Sequence, residues 1–170
     1  MLTTSCELAL LQLRYNFILV VDQRNAFFMF ETPTNTYHLR VYYEDTDAGG
    51  IVYYANYLKF FERARTEWLR ELGIEQSFFL EQNVAFVVRH VEMDNIASAK
   101  LDDQLTVKSQ ITLLKRASLI FQQQITNQQE QLIATATIKV ASIELAQNKL
   151  SNNKVCAIPQ TILGALKRVS

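Results

Sequence analysis

The chain has 170 residues, with 17 Lys plus Arg against 17 Asp plus Glu and a formal net charge of zero at pH 7. That balance gives no long-range field to draw nucleic acid or an anionic membrane, and it favours a small or neutral partner. The length suits one domain with a core that needs neither metal nor disulfide. Only Cys6 and Cys156 are present, without a CxxC or Cys/His neighbour, so two reduced cytosolic thiols are expected rather than a metal or redox centre.

The first segment with a signal is the apolar run LALLQLRYNFILVV, residues 8–21. Glu7 precedes it, Arg14 interrupts it and no small-residue cleavage site follows, which argues against a signal peptide. It is also too short and too charged to span a bilayer. Met29 opens a more ordinary start, MFETPTNTYHLRVYY. The expectation is that residues 1–28 are an upstream extension, poorly ordered or ahead of the true start, and that residues 37–168 form a single domain.

From residue 37 the pattern becomes regular. YHLRVYYE (37–44) alternates as a strand. In the following stretch EDTDAGGIVYYANY (44–57), Gly49 and Gly50 stand together between carboxylates and an apolar, aromatic run. Such a pair serves a tight bend or a close approach to the main chain. A helix is predicted from Asn56 to Leu72, with Asn56 as N-cap and Gly73 as left-handed C-cap. Tyr57, Phe60, Phe61, Ala64, Trp68 and Leu72 share one arc, widened by Leu58 and Leu69. Glu62, Glu67 and Glu71 with Arg63, Arg65 and Arg70 read as a solvated face.

The remainder reads as strands over 84–94, 103–115, 118–127 and 131–145, with KRA and NQQE as hairpin turns. A short closing helix is expected from Pro159 to Lys167. Together these predict an α+β layer, a curved antiparallel sheet wrapped around one long central helix.

The run RVYYEDTDAGGIVYYANYLKFFERARTEWLRELG, with AFVVRHVEMD, AKLDDQLTVKSQI and SLIFQQQI, closely resembles hotdog-fold acyl-CoA thioesterases of the 4-hydroxybenzoyl-CoA type. Within them it is most similar to the YbgC type, associated with the Tol-Pal cell-envelope system. The likeness covers residues 37–165 and centres on DxDxxGxVYxxxY at the entrance to the long helix. It implies the hotdog fold, a cytoplasmic homodimer or homotetramer with acyl sites between subunits, and hydrolysis of an acyl-CoA to free acid and CoA without a cofactor.

Thioester hydrolysis needs a nucleophile or general base and donors for the developing oxyanion. The resemblance assigns the first to Asp47, the second aspartate of the pair, and the polarising main-chain N–H to Tyr54. It places substrate contacts at Gly50, Val52, Tyr53 and Asn56, while Lys115 and Arg116 in a hairpin turn are candidates for nucleotide phosphates. The YbgC-type sequences usually read VYHANY where this chain reads VYYANY, so Tyr54 stands in place of a histidine, as in the hydroxybenzoyl branch. Asp45 is expected to cap the loop, Glu62 is a second candidate carboxylate, and His38 and His90 are expected to be structural. An alternative from another class is a weakly catalytic module that docks acyl carrier protein or lipid-synthesis partners at the cell envelope. A dehydratase fits less well, because no histidine lies near this loop.

Overall fold

Long alternating segments rich in β-branched residues become strands only if a second layer covers their apolar face, and here one helix supplies it. In the computed structural model, which describes residues 12–13, 17–22, 25–30, 34–81, 83–145 and 154–170, the elements appear in the following order. The first three strands, β1 (Gln12–Leu13), β2 (Phe17–Asp22) and β3 (Asn25–Phe30), form an antiparallel sheet of their own. Of the extension expected over 1–28, residues 1–11, 14–16 and 23–24, and with them Cys6, lie outside the described residues.

Next come β4 (Asn35–Arg40), helix α1 (Asn56–Glu71), helix α2 (Gln76–Glu81) and β5 (Val84–Asn95). They are followed by β6 (Gln104–Leu114), β7 (Ser118–Thr126), β8 (Leu132–Glu144), β9 (Lys154–Val155) and α3 (Gln160–Leu166). The main sheet is curved and antiparallel, in the order β4-β6-β7-β8-β5, with β9 also paired to β8. Both hairpin turns fall where expected. At the second, Asn127 Oδ1 accepts the N–H groups of Gln129 and Gln131, both at 3.0 Å, and lets Glu130 take φ +59°.

The inward parity of β6 and β7 carries Leu105, Val107, Ile111, Leu119, Phe121 and Ile125, all buried against Phe60, Phe61, Ala64 and Trp68 of α1. Each large side chain buried in this way contributes about 1.5–3 kcal/mol. Trp68 meets Phe121 edge-on with ring centroids 6.0 Å apart. The helix stops as predicted. Gly73 has φ +75°, its N–H reaches Arg70 O at 2.9 Å, and Ile74 N–H reaches Leu69 O at 2.9 Å, a Schellman closure over two buried apolar residues.

Several expectations are corrected. The first strand ends at Arg40, because Asp45 Oδ2 accepts the Tyr42 N–H at 2.9 Å and the local bond closes a 3-10 turn over Tyr43–Asp45. Leu58 is 38% exposed, since nothing among the described residues covers that flank of the first turn, whereas Leu69 is buried beside Phe79 and Ile74. Arg65 is not on the solvated face. It is only 9% exposed, its guanidinium lies 5.8 Å from the Phe121 ring centroid, and Nη1 donates to Gln123 Oε1 at 2.7 Å. The closing helix starts one residue later than expected, with Pro159 in the N-cap position. Helix α2 and strand β9 are additions; both are short and carry no strong sequence signal.

Candidate active site

The segment between β4 and α1 is a small folded unit built around two aspartates. Thr46 and Val52 form an antiparallel bridge, and inside it Asp47 N–H bonds Ile51 O at 2.9 Å while Gly50 N–H bonds Asp47 O at 3.0 Å. Residues 47–50 therefore make a tight turn in which Gly50 takes φ +73°, a conformation that disfavours a side chain. Gly49 serves a different need. Its N–H donates to Asp47 Oδ1 at 2.8 Å, and a Cβ there would stand 3.0 Å from that same oxygen. The Asp47 carboxylate is exposed and held by one main-chain donor. Asp45, at 3% exposure, is turned inward to the Tyr42 amide, the capping role expected of it.

The start of α1 is latched to this unit. Asp45 O accepts both Tyr53 N–H at 2.9 Å and Asn56 Nδ2 at 3.0 Å. Asn56 is therefore not the N-cap. Ala55 occupies that position, and the Asn56 amide is drawn instead to the loop carbonyl. Among the described residues the main-chain N–H groups of Tyr54 and Ala55 have no acceptor, and both lie at the positive end of the helix dipole. Tyr53 and Tyr54 are exposed, with ring centroids 4.8 Å apart. The Tyr54 hydroxyl beside it pushes the Tyr53 phenol above its ordinary value.

A third tie runs through Ala99. Its carbonyl accepts Val52 N–H at 2.8 Å, and its N–H donates to the Tyr57 hydroxyl at 3.1 Å. Burial raises the Tyr57 phenol above its usual range, so it stays neutral and works as an anchor in the core. The structure thus brings together Asp47, Gly50, Val52, Tyr53, Tyr54 and Asn56. It does not bring Lys115 and Arg116 to them within one chain. That exposed pair sits in the β6–β7 turn, and the 11-residue β6 separates it from the Ala99 end by about 35 Å.

Glu62 is exposed, its Oε1 accepting the Thr66 hydroxyl at 2.8 Å. It borders a cavity of about 200 Å³ between α1, α2 and the sheet. Asp47 and Tyr54 line neither this cavity nor two shallower concavities on the sheet. His38 bonds across the sheet to Thr106 Oγ1 at 3.1 Å, a structural pairing as expected. The pairing of Arg65 with Gln123 was not anticipated. Its signal was available, because Gln123 falls on the inward parity between Phe121 and Ile125.

The model of the thioesterase-like superfamily matches residues 41–166. Among relatives, the acyl-CoA thioesterase YbgC of Haemophilus influenzae is 47% identical over 115 residues, 67% of this chain and 84% of that protein. The acyl-CoA thioester hydrolase YbgC of Escherichia coli O6:H1 is 41% identical over 130 residues, 76% of this chain and 93% of that protein. Among solved structures, a 1,4-dihydroxy-2-naphthoyl-CoA thioesterase from Synechocystis superposes with a TM-score of 0.71 at 26% identity, covering 79% of this chain and 96% of that one. The curved sheet around α1, the turn that presents Asp47 and these matches agree: the chain belongs to the thioesterase-like superfamily and has its hotdog fold.

Proposed function

We propose that this protein is an acyl-CoA thioesterase in which Asp47 acts on the thioester carbonyl. One observation carries the reading: an exposed carboxylate fixed by Gly49 N–H stands on a turn latched to a helix start with two unbonded main-chain amides. Relatives at 41–47% identity named acyl-CoA thioesterase or thioester hydrolase support it. Asp47 adds to the carbonyl carbon or removes a proton from an attacking water. The developing oxyanion is held by the Tyr54 N–H and the helix dipole, the C–S bond breaks, and the CoA thiolate takes up a proton; where Asp47 is the nucleophile, water then hydrolyses the acyl-aspartyl anhydride to the free acid and restores the carboxylate. Gly50 and Val52 keep the carboxylate and amides in register, and Tyr53 borders the acyl group.

Two copies or four complete the site, since Lys115 and Arg116 reach nucleotide phosphates only if they come from another subunit. The enzyme works in the cytoplasm beside the Tol-Pal system, with residues 37–168 as its single thioesterase domain.

The test is thiol release from short, medium, long and aryl acyl-CoAs by wild type and Asp47→Asn. The variant keeps its fold and loses turnover by about a hundredfold or more; unchanged turnover overturns the assignment. Tyr54, in place of histidine, favours a second reading, a weakly catalytic module that docks acyl carrier protein. Binding of acyl-CoA or carrier protein without thiol release by wild type is its signature.

A further inference from the structure

The 200 Å³ cavity beside α1 has an unusual wall. Leu69, Phe79, Phe86, Leu119, Phe121 and Val140 make it apolar, yet Arg65 borders it as well. Arg65 as a whole is 9% exposed, and its guanidinium gives one hydrogen bond, to the neutral Gln123 Oε1 at 2.7 Å. Gln123 is itself fully buried and committed elsewhere, its Nε2 donating to Ser109 Oγ at 2.7 Å and Phe61 O at 3.1 Å. Among the described residues no carboxylate lies within 4.0 Å of Arg65, the one ion pair being Glu67 with Arg70. Glu62 acts on it only across a longer gap, from an exposed position with one oxygen held by Thr66. Burial lowers the guanidinium to about 10, so it is still charged at neutral pH.

A buried cation short of counter-charge at the edge of an apolar cavity is the complement of one ligand chemistry, an aliphatic chain ending in a carboxylate. We propose that this cavity binds such a chain, with Arg65 pairing the carboxylate and the Leu69–Phe79–Phe86 wall taking the methylenes. The exposed Glu62 repels the head group from the rim and directs it to the Arg65 side. Two sources share this chemistry: the free acid released by the reaction, and the far carboxylate of a dicarboxylic acyl group still attached to CoA. Naming these sources rests on the thioesterase reading; the binding itself does not.

Trp68 is the only tryptophan in the chain, and it touches Phe121 in the cavity wall, so its emission reports occupancy. Full-length protein is titrated with octanoate and with octan-1-ol as wild type, Arg65→Met, Arg65→Lys and Val84→Phe. Wild type binds the acid at least about tenfold more tightly than the alcohol, Arg65→Met loses that preference, and Arg65→Lys keeps part of it. Val84→Phe adds bulk on the inward parity of β5, the one Phe86 shares, leaves Arg65 and Gln123 unchanged, and weakens both ligands. Equal binding of acid and alcohol to wild type, no saturable change with either, or undiminished octanoate binding in Val84→Phe overturns the proposal, even if Arg65→Met does not fold.

A second arm separates the sources. A higher kcat/KM for adipoyl-CoA than for hexanoyl-CoA, lost in Arg65→Met, assigns the carboxylate to the acyl group. Octanoate inhibition without that preference assigns it to the product. Asp47→Asn binds octanoate as wild type does, so failure of hydrolysis and failure of the cavity are read independently.

Discussion

A methyl group on residue 49 would press on the one oxygen of Asp47 that is already bonded, at 3.0 Å. On the proposed mechanism Gly49 is therefore a positioning residue, acting through the carboxylate. Gly49→Ala moves that carboxylate by a fraction of an ångström on an exposed turn. The expected outcome is a fall in kcat of about ten- to hundredfold, with a melting temperature within a few degrees of wild type. Unaltered kcat in steady-state kinetics would count against this. At this scale the sequence was readable where the residue type has one physical use. Paired glycines before a helix announce a bend, and the bend is there, with Gly50 at φ +73°. It was less readable where one residue type has two uses. Asn56 carries an N-cap side chain, but the Asp45 carbonyl stands within reach and takes its amide, a choice that only the loop's own fold decides.

Among elements, α1 was the most legible, because a broad apolar arc, a closing glycine and a long run of helix formers agree. Its Schellman end gives a stability prediction. Gly73→Ala places a Cβ at φ +75°, which costs about 1–2 kcal/mol and lowers the urea midpoint without affecting the turn that holds Asp47. An unchanged midpoint would show that the helix end is not stabilised by that conformation. Strands β6, β7 and β8 were legible for a similar reason, since alternation and short turns specify neighbours. The three-stranded sheet over 12–30 was not, because an apolar run with one arginine fits strand and helix equally well. Arg65 was misplaced on charge alone. Its stem lies along the arc of Phe61 and Trp68, and Gln123 meets its head from the opposing strand.

For the whole molecule, the placement of β5 on β8 and β4 on β6 depends on pairing between distant segments, which no local turn encodes. The same limit applies to the site. Asp47 and the Lys115–Arg116 pair read as one constellation along the sequence, but they lie at opposite ends of β6. If two copies complete each site, mixing Asp47→Asn with a Lys115→Ala/Arg116→Ala double variant, under conditions that exchange subunits, restores acyl-CoA hydrolysis that neither has alone. Sedimentation of the mixture checks that the copies associate. No recovery in an exchanged mixture would place the phosphate contacts elsewhere.

Ala99 receives the loop through its carbonyl and the helix through its amide. Because one residue clamps both, through the two peptide groups that flank its Cα, a distortion that displaces this β5–β6 connection carries the acidic turn and the first coil of the helix along as one cartridge. The spacing between the Asp47 carboxylate and the unbonded Tyr54 and Ala55 amides is thereby insulated from breathing of the surrounding sheet, and on the proposed mechanism mutations remote from it should alter how the substrate is admitted sooner than how it is cleaved.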